Sequence, residues 1–362
     1  MKIFCRTCIL ALVYFIIPAT MHAEIPADTA YISVSSLFED DSVLEITLSG
    51  NIRELLNDRS DDAKYHDLTI AYIDKDSNEI IIPAEAKTRG HFRRLKENCF
   101  YPPLLINFST SDTLQHSIFK DQHKLKLVMP CQDDEYVIHE WLVYKLYNLV
   151  TPQSFRARLV HVKFADAKNK KPALPFYAIM LEEEKQMAKR NGLVSVNRQL
   201  KPEQTVPDAF IKMAVFEYLI GNTDWSVQYM QNIKLIAADS NAVATTVAYD
   251  FDHAGIVDAP YAQPAEELLM SSVRERRYRG YCMQDMKKID STIALFNSLK
   301  PNIYSLYSNC ALLDEKYKKA TIKYLDDFYA IINNPVKMQK EFAYPCDKNG
   351  TGNVVIKGLK EE

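Results

Sequence analysis

The amino-acid sequence predicts an α+β fold of two unlike parts, and three observations carry that expectation. Residues 24–181 show short apolar runs and apolar–polar alternation, as strands do, with one stretch of helical period among them. Beyond Glu182 the period is mainly helical, interrupted by two short strand-like runs. The composition supports a sizeable core: of 362 residues, 47% are hydrophobic and 25% charged, which excludes global disorder. The expected organisation is a signal peptide at 1–23, a β-rich part at 24–181, a helical part at 182–345 and a tail at 346–362. A net charge of −3 gives no bulk electrostatic case for nucleic acid, so no nucleic-acid partner is expected. Only nine glycines are present, which disfavours a fold built on Gly-rich phosphate loops.

Lys2 and Arg6 precede an apolar run from Cys8 to Ala19, and Ala23 stands before Glu24. That pattern reads as a cleaved secretory signal, too short for a comfortable membrane span. The expected location is therefore periplasmic or extracellular, with no membrane span after cleavage. Five cysteines remain beyond it: Cys99, Cys131, Cys282, Cys310 and Cys346. An odd number in an exported protein implies a free thiol or an intermolecular link, and the pairing of the rest stays open.

Strands are expected at 42–47 and 67–73, with a hairpin through Lys75–Asn78 into Glu79–Ile82, then at 102–108 and 123–129. Ile138, Leu142, Leu146 and Leu149 then share a helical face that ends before Pro152. Strands at 158–164 and 176–181 complete the β-rich part. Glu182–Asn191 is helical up to Gly192, and Asp208–Ile220, apolar on nearly every face, is a helix buried in a core. Strand-like runs follow at 232–236 and 245–251. A helix from Asp314 stops before Pro335, and the tail beyond Pro345 is expected to fray.

The densest polar grouping is Gly221-Asn222-Thr223-Asp224-Trp225, then Asn232, then Tyr249-Asp250-Phe251-Asp252. A carboxylate past a buried helix, an amide eight residues on and a carboxylate ending a strand suit a divalent cation on phosphates. Mg²⁺ takes hard oxygen ligands from one or two carboxylates and completes its shell with water and phosphate. The first carboxylate is then free to accept a proton from an attacking hydroxyl.

The run Leu219-Ile220-Gly221-Asn222-Thr223-Asp224, with the later Asn and the Tyr-Asp, resembles the HipA-type kinases. Arg89-Gly90-His91-Phe92-Arg93-Arg94, Tyr101-Pro102-Pro103 and the Asp-Phe-Asp element resemble the spore-coat CotH kinases. The resemblance spans about 85–260. It implies a protein-kinase-like two-lobed fold, with a β-rich N-lobe carrying one helix and a mainly helical C-lobe. It also implies ATP with Mg²⁺ or Mn²⁺, Asp224 as the catalytic aspartate, and Asn232, Asp250 and Asp252 on the metal. The phosphate-anchoring cation is expected to be Lys126, with Glu140 as its ion-pair partner, although the helical period sets Glu140 opposite the apolar stripe. Lys124, on the same strand face, is the alternative. Arg89 and Arg93, with Arg94, are candidates to reach over the triphosphate, since guanidinium forks match phosphate oxygens without a glycine loop. Arg274, Arg276, Arg277 and Arg279 read either as a solvated helix face or as a docking segment for an anionic substrate.

The function expected is an exported atypical kinase, transferring the γ-phosphoryl of a nucleotide to a hydroxyl on an unidentified protein or small molecule. The alternative is a catalytically inactive kinase-like binding module of the cell envelope. Seven residues between Asp224 and Asn232, where HipA-type kinases have four, and Pro103-Leu104-Leu105 in place of lysines favour that alternative.

Overall fold

A computed structural model describes residues 36–168, 174–352 and 354–355. The signal segment, part of the basic loop Lys168–Lys171 and the end of the tail lie outside the described residues. Seven strands come first: β1 (Leu44–Gly50), β2 (His66–Ile73), β3 (Glu79–Thr88), β4 (Leu104–Phe108), β5 (Lys124–Val128), β6 (Ala157–Asp166) and β7 (Phe176–Leu181). They close into a barrel in the order β1-β2-β3-β4-β5-β7-β6. Every neighbouring pair is antiparallel except β1 with β6, whose parallel ladder runs from Leu44↔Val160 to Gly50↔Asp166 and seals the sheet.

The barrel interior is a core of its own, filled by Leu48, Ile70, Ile82, Leu104, Ile106, Leu125, Leu127, Val162 and Met180. Three strands also bury their outer faces. Val128, Leu159, Ile179 and Leu181 belong to a second core, formed with α3 (Glu135–Val150) and the helices that follow. Burial on both faces explains why β6 and β7 read as nearly continuous apolar runs. The remaining helices are α1 (Ile52–Asn57), α2 (Asp112–Gln115), α4 (Glu184–Arg190), α5 (Pro207–Ile220), α6 (Asp290–Ser308), α7 (Glu315–Ile332) and α8 (Pro335–Phe342). A second sheet, in the order β10-β9-β8, comprises β8 (Val194–Val196), β9 (Ile233–Ala237) and β10 (Thr245–Ala248).

The expected protein-kinase-like two-lobed fold is overturned. In place of a β-rich N-lobe above a helical C-lobe, the chain has a closed, mixed seven-stranded barrel with eight helices among the described residues. Strand periodicity reports which segments are extended. It is silent on closure, which depends on the parallel pairing of β1 with β6 across more than a hundred residues.

Several local expectations also change for physical reasons. Helix α3 packs against β6 and β7 on one side and α5 and α6 on another. Glu140, set opposite the apolar stripe by the helical period, is therefore buried at 2% exposure rather than solvated. The helix from Asp314 does stop before Pro335, at Ile332, but Pro335 then opens a further helix, α8, where its missing N–H costs nothing, and Asn334 caps it by accepting from the amides of Val336 and Lys337. The described part of the tail does not fray. Cys346 is bridged to Cys282, and the Thr351 hydroxyl donates to the Leu268 carbonyl at 3.1 Å. The second bridge joins Cys99 to Cys131, leaving Cys310 as the free thiol among the described residues. Among those residues, no helix is long and apolar enough to cross a membrane.

Candidate active site

The site is built where α5 ends and the β9–β10 ribbon begins. Helix α5 buries ten of its residues, from Phe210 to Ile220, and stops at Gly221, whose left-handed φ of 71° turns the chain out of the helix. The chain then presents Asp224 on a tightly held loop. Its amide donates to Asn222 Oδ1 at 3.0 Å, and Trp225 Nε1 donates to the Asn222 carbonyl at 3.2 Å.

Seven residues on, the chain returns to Asp224. Gln231 Nε2 donates to one Asp224 carboxylate oxygen, and Asn232 Nδ2 donates to the other at 3.0 Å and to the Asp224 carbonyl at 2.7 Å. With its amino group committed in this way, Asn232 directs Oδ1 away from Asp224. The ribbon then brings the third motif residue alongside. Ala248 pairs with Ile233, and the Tyr249 amide donates to the Asn232 carbonyl at 3.0 Å, so Asp250 leaves β10 next to Asn232. Asn232 and Asp250 both have left-handed φ, 49° and 64°. Asn and Asp tolerate this region better than other residues with a Cβ, and such conformations concentrate at functional sites.

Electrostatics set these carboxylates apart from surface ones. Burial pushes the pKa of Asp224 up and Asp252 adds to the rise, against His253, Arg279 and the Asn232 hydrogen bond. Asp250 is pushed up likewise, by burial first and then by Asp252, while Arg93 and Arg89 pull it back. For His253, burial alone would lower the pKa. The Asp252, Asp224 and Asp250 carboxylates outweigh it and hold the ring above its ordinary value.

The cations divide into two groups. Arg93 is the inner one. Its Nη2 donates to the Met129 carbonyl at 2.6 Å, and its Nη1 lies 3.5 Å from both Glu140 Oε2 and Asp252 Oδ2. Tyr261 OH donates to Asp252 Oδ2 at 3.2 Å, closing this cluster. One guanidinium cannot neutralise Glu140, Asp250 and Asp252 together. Burial pushes Glu140 up in spite of Arg93, while burial, which would lower Arg93, is outweighed by Tyr261, Asp252, Glu140 and Asp250, which hold it above its ordinary value.

The outer group gathers on Tyr249. Lys126 Nζ donates to the Tyr249 hydroxyl at 2.8 Å, and the Lys126 and Lys234 ammonium groups lie 4.3 and 5.5 Å from the ring centroid. Arg89 is close enough to act on both Tyr249 and Lys126. Burial first, then Arg89 and Lys234, push Lys126 down to about 7, with Asp250 and Glu184 opposing.

The structure thus brings together Asp224, Asn232, Asp250, Asp252, Arg89, Arg93, Lys126 and Glu140. The expected Lys126–Glu140 ion pair is corrected: Glu140 pairs with Arg93, and Lys126 with Tyr249. Lys124 is exposed at the start of its strand. Arg94 turns away to the Ser60 carbonyl and Asp61. The arginines of 274–279 lie on no helix. Arg276 donates to the carbonyls of Leu219 and Tyr324, Arg277 to that of Leu268, and Arg279 to those of Thr223 and Trp225, so they strap this segment to the core.

Sequence reasoning missed Lys234, Tyr249 as a hub, and Tyr261. Lys234 had a legible signal: it stands two residues after Asn232, on the same face of a strand. Tyr261 had none.

Asn232 Oδ1 and the Asp250 carboxylate are hard oxygen donors that fit Mg²⁺ or Mn²⁺, while Asp252 is engaged by Arg93 and Tyr261. No group of three or more His, Cys, Asp or Glu among the described residues is arranged to hold a metal by itself. A divalent ion here would draw its other ligands from substrate and water. Comparison with protein-family models finds no match, and comparison with curated proteins finds none either.

Proposed function

We propose that this site transfers the γ-phosphoryl group of a nucleoside triphosphate, with Mg²⁺ or Mn²⁺, to a hydroxyl on a protein or small molecule. This is the reaction class of the CotH and HipA-type kinases that the motif resembles. One observation carries the reading: Lys126, Lys234 and Arg89 converge on Tyr249 beside Asp250, close enough to depress the pKa of Lys126. Cations that repel one another are best accommodated opposite a polyanion, and ammonium and guanidinium groups suit phosphate oxygens.

Within that reading, Asn232 and Asp250 hold the divalent ion, which supplies neutralisation of charge on the phosphate oxygens. Asp224 is oriented by Gln231 and Asn232, and its raised pKa suits it to accept the proton of the acceptor hydroxyl. Arg93 holds Glu140 and Asp252 rather than reaching over the phosphates. The two disulfides support an oxidising compartment, in keeping with export.

The test is thermal denaturation of the full chain with ATP or GTP and either metal, followed by γ-phosphoryl transfer. Stabilisation should require metal and nucleotide together and be lost in Asp250→Ala. Asp224→Asn should bind normally and turn over roughly 10²–10⁴-fold more slowly. No shift with either metal overturns the reading. Binding without turnover by the unmodified chain would favour a catalytically inactive binding module, a reading that the full engagement of the Asp224 carboxylate also fits.

A further inference from the structure

Beneath the Asp224 loop lies a carboxylic acid that the proposed chemistry does not use. Glu217 sits on the last turn of α5 at 1% exposure, and neither of its carboxyl oxygens makes a well-formed hydrogen bond among the described residues, although the Asn222 side-chain amide lies within reach of the carboxyl group. Asn222 Nδ2 and Arg279 Nε are likewise buried without a well-formed hydrogen bond. These groups adjoin one another. The Asn222 amide and the Arg279 guanidinium both act on Glu217, and the Asn222 backbone amide donates to the Glu217 carbonyl at 2.9 Å, folding Asn222 back over that turn.

Asn222 is also the residue that grips the catalytic loop, through the Asp224 amide and the Trp225 indole. Arg279 holds the same loop from both sides, donating to the carbonyls that flank Asp224, those of Thr223 and Trp225. Among the described residues, the bonds to the Asp224 backbone come from Asn222 and Asn232, Arg279 holds the carbonyls on either side of it, and Asn222 and Arg279 meet at Glu217. A polar group left buried in an apolar helix is costly, and an alanine or leucine at 217 would remove that cost.

We propose that Glu217 is a positioning residue for Asp224, orienting Asn222 and, through it, the Asp224 loop. Burial pushes the Glu217 pKa well above the usual carboxylate range, against the Asn222 side chain and Arg279. Glutamine, of the same shape and still polar toward Asn222, should therefore replace it, whereas leucine should not. The inference rests on the phosphotransfer reading for its catalytic consequence but not for its structural one.

The experiment compares Glu217→Gln, Glu217→Leu and Asn222→Ala in the full chain by two readouts. The first is hydrogen exchange at the Asp224 amide, which needs no activity. Exchange should quicken at least tenfold in Glu217→Leu and Asn222→Ala and stay near its original rate in Glu217→Gln. The second is nucleotide turnover, where Glu217→Leu should lower kcat ten- to a hundredfold with KM unchanged and Glu217→Gln should restore it. Should Glu217→Leu fail to fold, the double variant Glu217→Gln/Asn222→Ala takes its place and should exchange no faster than Asn222→Ala alone. Unchanged exchange in Glu217→Leu, or equal damage in Gln and Leu, overturns the inference. A wild-type chain that binds no nucleotide overturns the phosphotransfer reading instead, and the exchange comparison still decides the role of Glu217.

Discussion

Lys126 shows how a single side chain is set by its surroundings. On β5 it alternates with Leu125 and Leu127, which fill the barrel, so it must point outward, where Tyr249, Lys234 and Arg89 meet it. Its pKa of about 7 has two consequences. Between that value and the ordinary lysine range the unfolded chain binds a proton that the folded one lacks. The contribution of Lys126 to stability therefore rises with pH through that window. Binding a polyanion pulls the other way, because it favours the protonated ammonium. Nucleotide affinity should fall about tenfold per pH unit above neutrality, with uptake of one proton on binding. Calorimetric titration in buffers of different ionisation enthalpy measures both, and Lys126→Ala should flatten the profile. An affinity constant from pH 6.5 to 9 would remove Lys126 from the phosphate site. At this scale the sequence was informative only for the set: Asp224, Asn232 and Asp250 are each ordinary turn residues, and they stand out by their order and spacing at the ends of successive elements. Glu140 and Arg93 were legible as charged residues but not as partners. Their meeting depends on how the turn after β3 lies against α3, and no periodicity encodes that.

At the scale of elements, the junction between α5 and the Asp224 loop depends on Gly221. It adopts a left-handed φ, and a Cβ there would fall onto the Tyr324 hydroxyl and 3.4 Å from the Val273 carbonyl. Tyr324 has little room to yield, since Arg276 lies over its ring at 3.5 Å and Arg274 at 4.4 Å. Gly221→Ala combines the left-handed penalty of about 1–2 kcal/mol with overpacking of about 1–3 kcal/mol. A loss of about 2–5 kcal/mol in urea unfolding is expected. Gly221→Asn relieves the first cost and keeps the second, so it should fall between. A loss under about 1 kcal/mol in Gly221→Ala would mean that the turn relaxes freely. The same junction explains why the helix pattern of α5 was easy to read and its neighbours were not. A segment apolar on all faces announces burial, whereas the arginine segment 274–279 looks like a solvated face until its carbonyl partners are known.

For the whole molecule, the two cores are joined by strands that belong to both. In β6, Val160 and Val162 fill the barrel while Leu159 packs into the helical core, and β7 divides Ala178 and Met180 from Ile179 and Leu181 in the same way. Leu159→Ala should cost about 2–5 kcal/mol, and the loss should appear in the barrel and the helices together. Far-ultraviolet circular dichroism reports on both. Trp141 and Trp225, which lie in the helical core, report on that part by fluorescence. The two signals should shift to the same lower midpoint. Separate midpoints would show that barrel and helices unfold independently. What the sequence by itself determined was local: the principal strands, the buried helix, and the motif residues of the second half, because period and residue type are read within a few neighbours. Tertiary structure decided the closure of the barrel, the disulfide pairing, the partners of Arg93, Glu140 and Lys126, and the burial of Glu217 beneath Asp224. Each of these depends on contacts between residues far apart in the chain, where chain geometry and packing, not local pattern, choose the neighbour.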